Sequence, residues 1–122
     1  KGPAAATSQP AVVLRGWAGM WWPAAHHQSP IRHVMPNNRA DHQEEMGLQR
    51  RANRRMRGVD TAHVGTTLRA PFIDFATVAK GMGVYAEGPI ENPKDLGPAL
   101  KRAIAMGKRG EPALLDVVTS GR

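Results

Sequence analysis

The chain contains no cysteine in its 122 residues, so neither a disulfide staple nor a thiolate zinc site can hold it together. That absence fits a cytoplasmic protein. Aromatic side chains are also scarce, with three Trp, one Tyr and two Phe. Three of them, Trp17, Trp21 and Trp22, crowd into one short stretch, so the core must be built mainly of Ala, Val, Leu, Ile and Met. No apolar run reaches the roughly 18 residues of a membrane-spanning helix, which excludes a helical membrane protein. The N-terminal segment lacks the basic-then-apolar order of a signal peptide. Serine occurs only at positions 8, 29 and 120, and none lies in a Gly-x-Ser-x-Gly turn between strand and helix. A hydrolase triad of Ser29, a histidine and Asp41 can be drawn, yet nothing in the spacing prefers it. Position 1 is Lys rather than Met, which suggests a fragment or a processed product.

What is present reads as one soluble globular domain. Hydrophobic residues make up 41% and charged residues 22%, an ordinary globular balance rather than a disordered one. The small, proline-bearing residues 1–10 read as a flexible arm, and 11–122 as a single domain. Formal charge is +7, which favours anionic partners such as phosphates or nucleic acid. Arg50, Arg51, Arg54, Arg55 and Arg57 concentrate that charge. They admit two readings, the cationic end of a helix or the contact face of a small basic interaction module, and the helix dipole accounts for them without a ligand.

The periodicities alternate between strand and helix. "AVVL" at 11–14 reads as a strand, and the stretch from Trp17 onward as a helix that Pro23 kinks or restarts. "IRHVM" at 31–35 has strand length, with Ile31, His33 and Met35 on one face and Arg32 and Val34 on the other. Arg32 and His33 sit badly in a central parallel strand, which is buried on both faces. From Asp41 the pattern turns helical, with Glu44 and Glu45 early and the arginines late, before Gly58. Residues 58–71 read as a long loop. Asp74 can cap a helix over about 75–82, stopped by Gly83, and "VYAEG" follows as a strand. Asn92 caps a further helix with Pro93 at its first position, an apolar face of Leu96, Leu100, Ala103 and Ile104, and Gly110 as its stop. "ALLDVV" (Ala113–Val118) is near-continuously apolar, as a buried parallel strand should be. Strand, helix, strand, helix, strand predicts a three-layer α/β domain with helices flanking a parallel sheet.

The stretch "AAHHQSPIRHVMPNNRADHQEEM", followed by "GTTLRAPFIDFATVAKGMGVYAEGPIENPKDLGPALKRAIAMGKRGEPALLDVV", resembles the C-terminal cofactor-binding domain of thiamine diphosphate-dependent enzymes. The subgroup is that of acetolactate synthase and benzoylformate decarboxylase. The resemblance implies a truncated thiamine diphosphate-binding fold with thiamine diphosphate and Mg²⁺ as cofactors. It also implies that the parent activity is that of a lyase or transferase acting on 2-oxo acids. In that family the paired asparagines close a signature opened upstream by Gly-Asp-Gly. The Asp carboxylate, the second Asn side chain and a main-chain carbonyl two residues later hold a Mg²⁺ that grips the cofactor's diphosphate. Carried over, Asn38 supplies the side-chain ligand and Ala40 the carbonyl, while Asn37 shapes the turn. Such neutral oxygens suit a hard cation that shares its octahedral shell with phosphate. The opening half is missing. At the family spacing it falls on Pro10, Ala11 and Val12, and no Gly-Asp-Gly occurs in the sequence. The family's N-terminal domain, whose glutamate acts on the cofactor, is not here either. The resemblance therefore predicts weak or absent cofactor binding and no independent catalysis, with no catalytic residue assigned.

Other constellations have bland readings beside them. Asp41, His42, Glu44 and Glu45 can be drawn as a metal cluster, but acids at a helix start need no metal. His26 and His27 are adjacent and diverge on a helix, which favours a helix-end role. The tryptophans can stack on bases or simply fill core space. A sheet with open edges and exposed apolar helix faces predicts self-association.

Overall fold

The computed structural model describes residues 6–8, 18–68 and 70–120. Four parallel strands form one sheet in the order β1-β2-β4-β3. They are β1 (Ala6–Ser8), β2 (Arg32–Asn37), β3 (Tyr85–Ile90) and β4 (Ala113–Val118). The helices are α1 (Trp21–His26), entered from a 3₁₀ turn at Ala18–Met20, then α2 (His42–Arg54), α3 (Phe75–Gly81) and α4 (Pro93–Arg109). The expected strand at 11–14 lies outside the described residues. Within 1–10, Ala6–Ser8 pairs with β2 as a short edge strand.

β4 lies between β2 and β3, and its Leu114, Leu115 and Asp116 are almost fully buried. Alternation along it divides the core in two. Leu114 joins Met35 and Ala86 under α1 and α3, where Trp21, Phe75, Ala76 and Ala79 pack. Ala113 and Leu115 face the opposite way, against Ala99 and Ala103 of α4. The three-layer parallel α/β arrangement is the one the sequence predicts.

Local chemistry sets most boundaries. Asp74 caps α3 by accepting from the Thr77 amide at 2.8 Å, and Asn92 caps α4 by accepting from the Lys94 amide at 3.0 Å. Gly110, with φ 89°, ends α4 in the left-handed conformation that costs glycine least. Pro98 sits early enough in α4 to be accommodated. Pro23 lies in the first turn of α1, where its missing donor is not needed, so α1 begins at Trp21 and not at Pro23.

Two expectations need correction. The buried stripe of α4 is Ala99, Ala103 and Gly107, with Leu96 and Leu100 half-buried, whereas Ile104 is 42% exposed. Small residues let α4 approach the sheet, and they also resolve the awkward Arg32. A Cβ on Gly107 would stand 3.1 Å from Arg32 Nη1, so the Arg32 side chain runs across space that Gly107 leaves open. The second correction concerns the end of α2, which stops at Arg54 and not just before Gly58. Met56 takes φ 51°, while its amide bonds the Asn53 carbonyl at 3.2 Å and the Arg57 amide bonds that of Ala52 at 2.9 Å. That is the Schellman arrangement, with methionine where glycine is usual.

Candidate functional site

β2 delivers the paired asparagines to the C-terminal edge of the sheet, the side on which open α/β folds bind ligands. Its burial alternates: His33, Met35 and Asn37 point into the core, and Arg32, Val34 and Pro36 are half-buried. Asn37 is therefore an internal residue, 6% exposed. Its Nδ2 donates to Asp116 Oδ1 at 3.1 Å, and its Oδ1 accepts from the Arg39 amide at 3.1 Å. Asn38 makes the same local closure one step on, its Oδ1 accepting from the Ala40 amide at 3.3 Å. Two overlapping Asx turns thus carry the chain off the strand, with Arg39 at φ 57°.

Backbone bonds pin this turn on both sides. The Thr119 amide donates to the Asn37 carbonyl at 3.0 Å, the Leu68 amide to the Arg39 carbonyl at 2.9 Å, and the Asp41 amide to the Thr66 carbonyl at 2.6 Å. The Arg39 guanidinium lies 4.2 Å over the Phe72 ring and pairs with Glu91 at 2.7 Å. Asp116, beneath the turn, is fully buried. Loss of water raises its carboxyl above the ordinary range, partly offset by the Asn37 hydrogen bond. Sequence reading passed over Asp116. The available signal was a lone acid inside an otherwise apolar strand, since a buried carboxylate requires partners.

Asn38 and Ala40 open onto a cleft of about 600 Å³ whose other wall is α2, including His42, Glu44 and Arg50. Asn37 instead lines a second cleft of about 330 Å³ with Arg39, Phe72, Asp74 and Glu91. The turn therefore divides two spaces, and only the first contains both expected metal-ligand residues.

A hard divalent cation partly fits the residues present. Asn38 and Ala40, the two ligand residues that the resemblance implies, line one cleft, and no Gly-Asp-Gly that would bring a carboxylate to them occurs in the sequence. Pro10, Ala11 and Val12 lie outside the described residues. Among the described residues no group of three or more His, Cys, Asp or Glu could hold a metal, so the drawn cluster of Asp41, His42, Glu44 and Glu45 is not formed. His42 Nδ1 stands 4.0 Å from Glu45 Oε2, and Asp41 is turned into the buried side of the loop. Ser29 precedes and Asp41 follows the six-residue β2, whose length of roughly 20 Å at strand rise lies between them, which disfavours a triad. His26 is exposed and stacks on Trp22 with centroids 4.9 Å apart. Trp21 is core, and Trp17 lies outside the described residues. Arg50, Arg51, Arg54, Arg55 and Arg57 are exposed. Arg51 and Arg54 occupy the last turn of α2, where their charge complements the dipole. No helix among the described residues is long and apolar enough to cross a membrane.

Residues 19–117 match the family model described as thiamine pyrophosphate enzyme, C-terminal TPP binding domain. No curated protein matches the chain. Among solved structures, the thiamine diphosphate-dependent 4-hydroxybenzoylformate decarboxylase of Rhodococcus jostii RHA1 is similar at 22% identity and a TM-score of 0.74, covering 96% of this chain and 20% of that one. Benzoylformate decarboxylase from Polynucleobacter necessarius is similar at 12% identity and a TM-score of 0.70, with the same coverages of 96% and 20%. The chain thus spans about a fifth of the length of the two proteins, and at these identities the likeness is one of fold.

Proposed function

The chain belongs to the thiamine pyrophosphate enzyme family as its C-terminal TPP-binding domain, and from that premise we propose that it is the Mg²⁺- and diphosphate-holding part of a lyase or synthase acting on 2-oxo acids. The observation that carries the reading is the paired-asparagine turn, set at the C-terminal end of β2 within the matched segment, with Asn38 and Ala40 on one cleft. Asn38 Oδ1 and the Ala40 carbonyl would hold the ion, and Asn37 would set the turn that presents them. Arg50, on the same cleft, supplies positive charge toward a diphosphate. Thiamine diphosphate, when bound, supplies the carbanion stabilisation for bond cleavage beside a 2-oxo group.

Two neutral oxygens hold a divalent ion far less well than a set that includes a carboxylate. Binding is therefore weak, and the chain alone does not turn over substrate. The test is decarboxylation of pyruvate or benzoylformate by the folded chain with thiamine diphosphate and Mg²⁺ added. No product above the protein-free reaction is expected, and turnover would contradict the reading. Self-association belongs to the same reading: among the described residues β1 and β3 are the sheet's outer strands, and no residue of α2 is buried.

A further inference from the structure

We propose that Asp116, 79 positions from Asn37 in the chain, is a positioning residue for the paired-asparagine turn, acting by fixing which way the Asn37 carboxamide faces. A carboxamide has a donor end and an acceptor end of nearly equal shape, so packing alone does not choose between its two orientations. A carboxylate accepts only. With Asp116 Oδ1 at 3.1 Å, the NH₂ group of Asn37 must turn toward it, and the carbonyl oxygen is left pointing at the Arg39 amide. In the reverse orientation two acceptors would face each other in the core, and the Arg39 amide would meet an NH₂ group. Asp116 thereby selects the turn that sets Arg39 at φ 57° and brings Asn38 and Ala40 round to one cleft.

The surroundings make that selection stiff. Asp116 is fully buried, and apart from the Asn37 side chain its carboxyl is faced by the Phe75 backbone amide. The Asn37 amide is thus the side-chain donor that the carboxylate has. Gly88 of β3 lies directly against the Asp116 backbone, where an added Cβ would come within 2.7 Å of the Asp116 carbonyl oxygen. Strand β4 therefore cannot slide the carboxylate away from Asn37. The bearing of the turn on a metal rests on the function proposed above, whereas the turn itself can be read independently.

The experiment compares hydrogen exchange at the Arg39 amide in four full-length chains: wild type, Asp116→Leu, Asn37→Asp, and the exchanged pair Asn37→Asp with Asp116→Asn. Strand amides of β4 serve as the reference for folding. Losing a buried charge-assisted bond should speed Arg39 exchange at least about tenfold in each single variant. The exchanged pair restores one donor facing one acceptor and leaves an acceptor for the Arg39 amide. Protection should return there to within about threefold of wild type, a rescue that side-chain volume alone does not predict. Unchanged Arg39 protection in Asp116→Leu overturns the proposal. So does failure of the exchanged pair to regain protection while its β4 amides stay protected, which also decides the matter if Asp116→Leu does not fold. The same chains are titrated with thiamine diphosphate and Mg²⁺. If Arg39 protection falls while Mg²⁺-dependent binding is unaltered, Asp116 still positions the turn, and it is the placement of the ion on Asn38 that fails.

Discussion

Gly88→Ala is the smallest change that should disturb both the sheet and the site. Gly88 has φ 145°, a conformation that L side chains rarely adopt. An added Cβ would stand 2.6 Å from Asp116 Cβ, 2.7 Å from its carbonyl oxygen and 3.2 Å from its Cα. Two of those three atoms are backbone, so no side-chain rotation relieves the overlap, and β3 must part from β4. Backbone strain of this kind costs about 1–3 kcal/mol, and overpacking costs about 1–3 kcal/mol more. The sum is a loss of about 2–6 kcal/mol, measured by urea or thermal unfolding. At roughly 4 °C per kcal/mol, Tm should fall by about 8–24 °C. Gly97→Ala is the internal control, because Gly97 lies in α4 with open space where a Cβ would go. That change should stabilise by about 0.5–1 kcal/mol. If Gly88→Ala costs less than about 0.5 kcal/mol, the close approach of β3 to Asp116 is not a constraint and the reasoning fails.

Met56 is 96% exposed at a left-handed position, so Met56→Gly should strengthen the end of α2 by about 0.5–1 kcal/mol, seen as slower amide exchange over residues 52–54. Burial holds the His33 imidazole below its ordinary value, so as pH falls the unfolded chain takes up that proton first. Stability from His33 is complete above about pH 6.5 and declines below it, and His33→Leu should flatten unfolding free energy between about pH 7 and 5 relative to wild type. Asp116 carries the opposite sign: its raised value makes its contribution complete at low pH and lost as pH rises through the folded value. Leu114→Ala, at a fully buried site, should cost about 2–5 kcal/mol in chemical unfolding. Light scattering should show a mass above that of one chain at concentrations of about 10–100 μM, the range where exposed edges and partly folded surfaces associate.

Much of this was legible because local chemistry and tertiary context agree. Asn92, Pro93 and Gly110 punctuate α4 in the residues a reader looks for, and β4 runs over the residues its apolar pattern predicts. The end of α2 was illegible for the converse reason, since Met56 adopts a conformation that its side chain disfavours. The packed face of α4 was misjudged because hydrophobicity was weighed over size: close approach selects Ala99, Ala103 and Gly107, and leaves Ile104 in solvent. At the proposed site, Asn37, Asn38 and Ala40 follow only from the family resemblance, and their separation onto two clefts was not legible at all. That depends on the direction in which β2 presents each side chain. Asp116 was missed because its partner is remote in sequence. A pairing at that separation becomes visible only when β2 and β4 are neighbours.

On the proposed function, the paired-asparagine turn is one half of a metal and diphosphate clasp built into this fold. Calorimetric titration of the chain with thiamine diphosphate, with and without Mg²⁺, tests it most directly. Weak binding is predicted only when Mg²⁺ is present, and it should be lost in Asn38→Ala while thermal stability changes by less than about 1 kcal/mol, as for a part-exposed turn residue. Binding of equal strength without Mg²⁺, binding that survives Asn38→Ala, or no binding in either condition would contradict it.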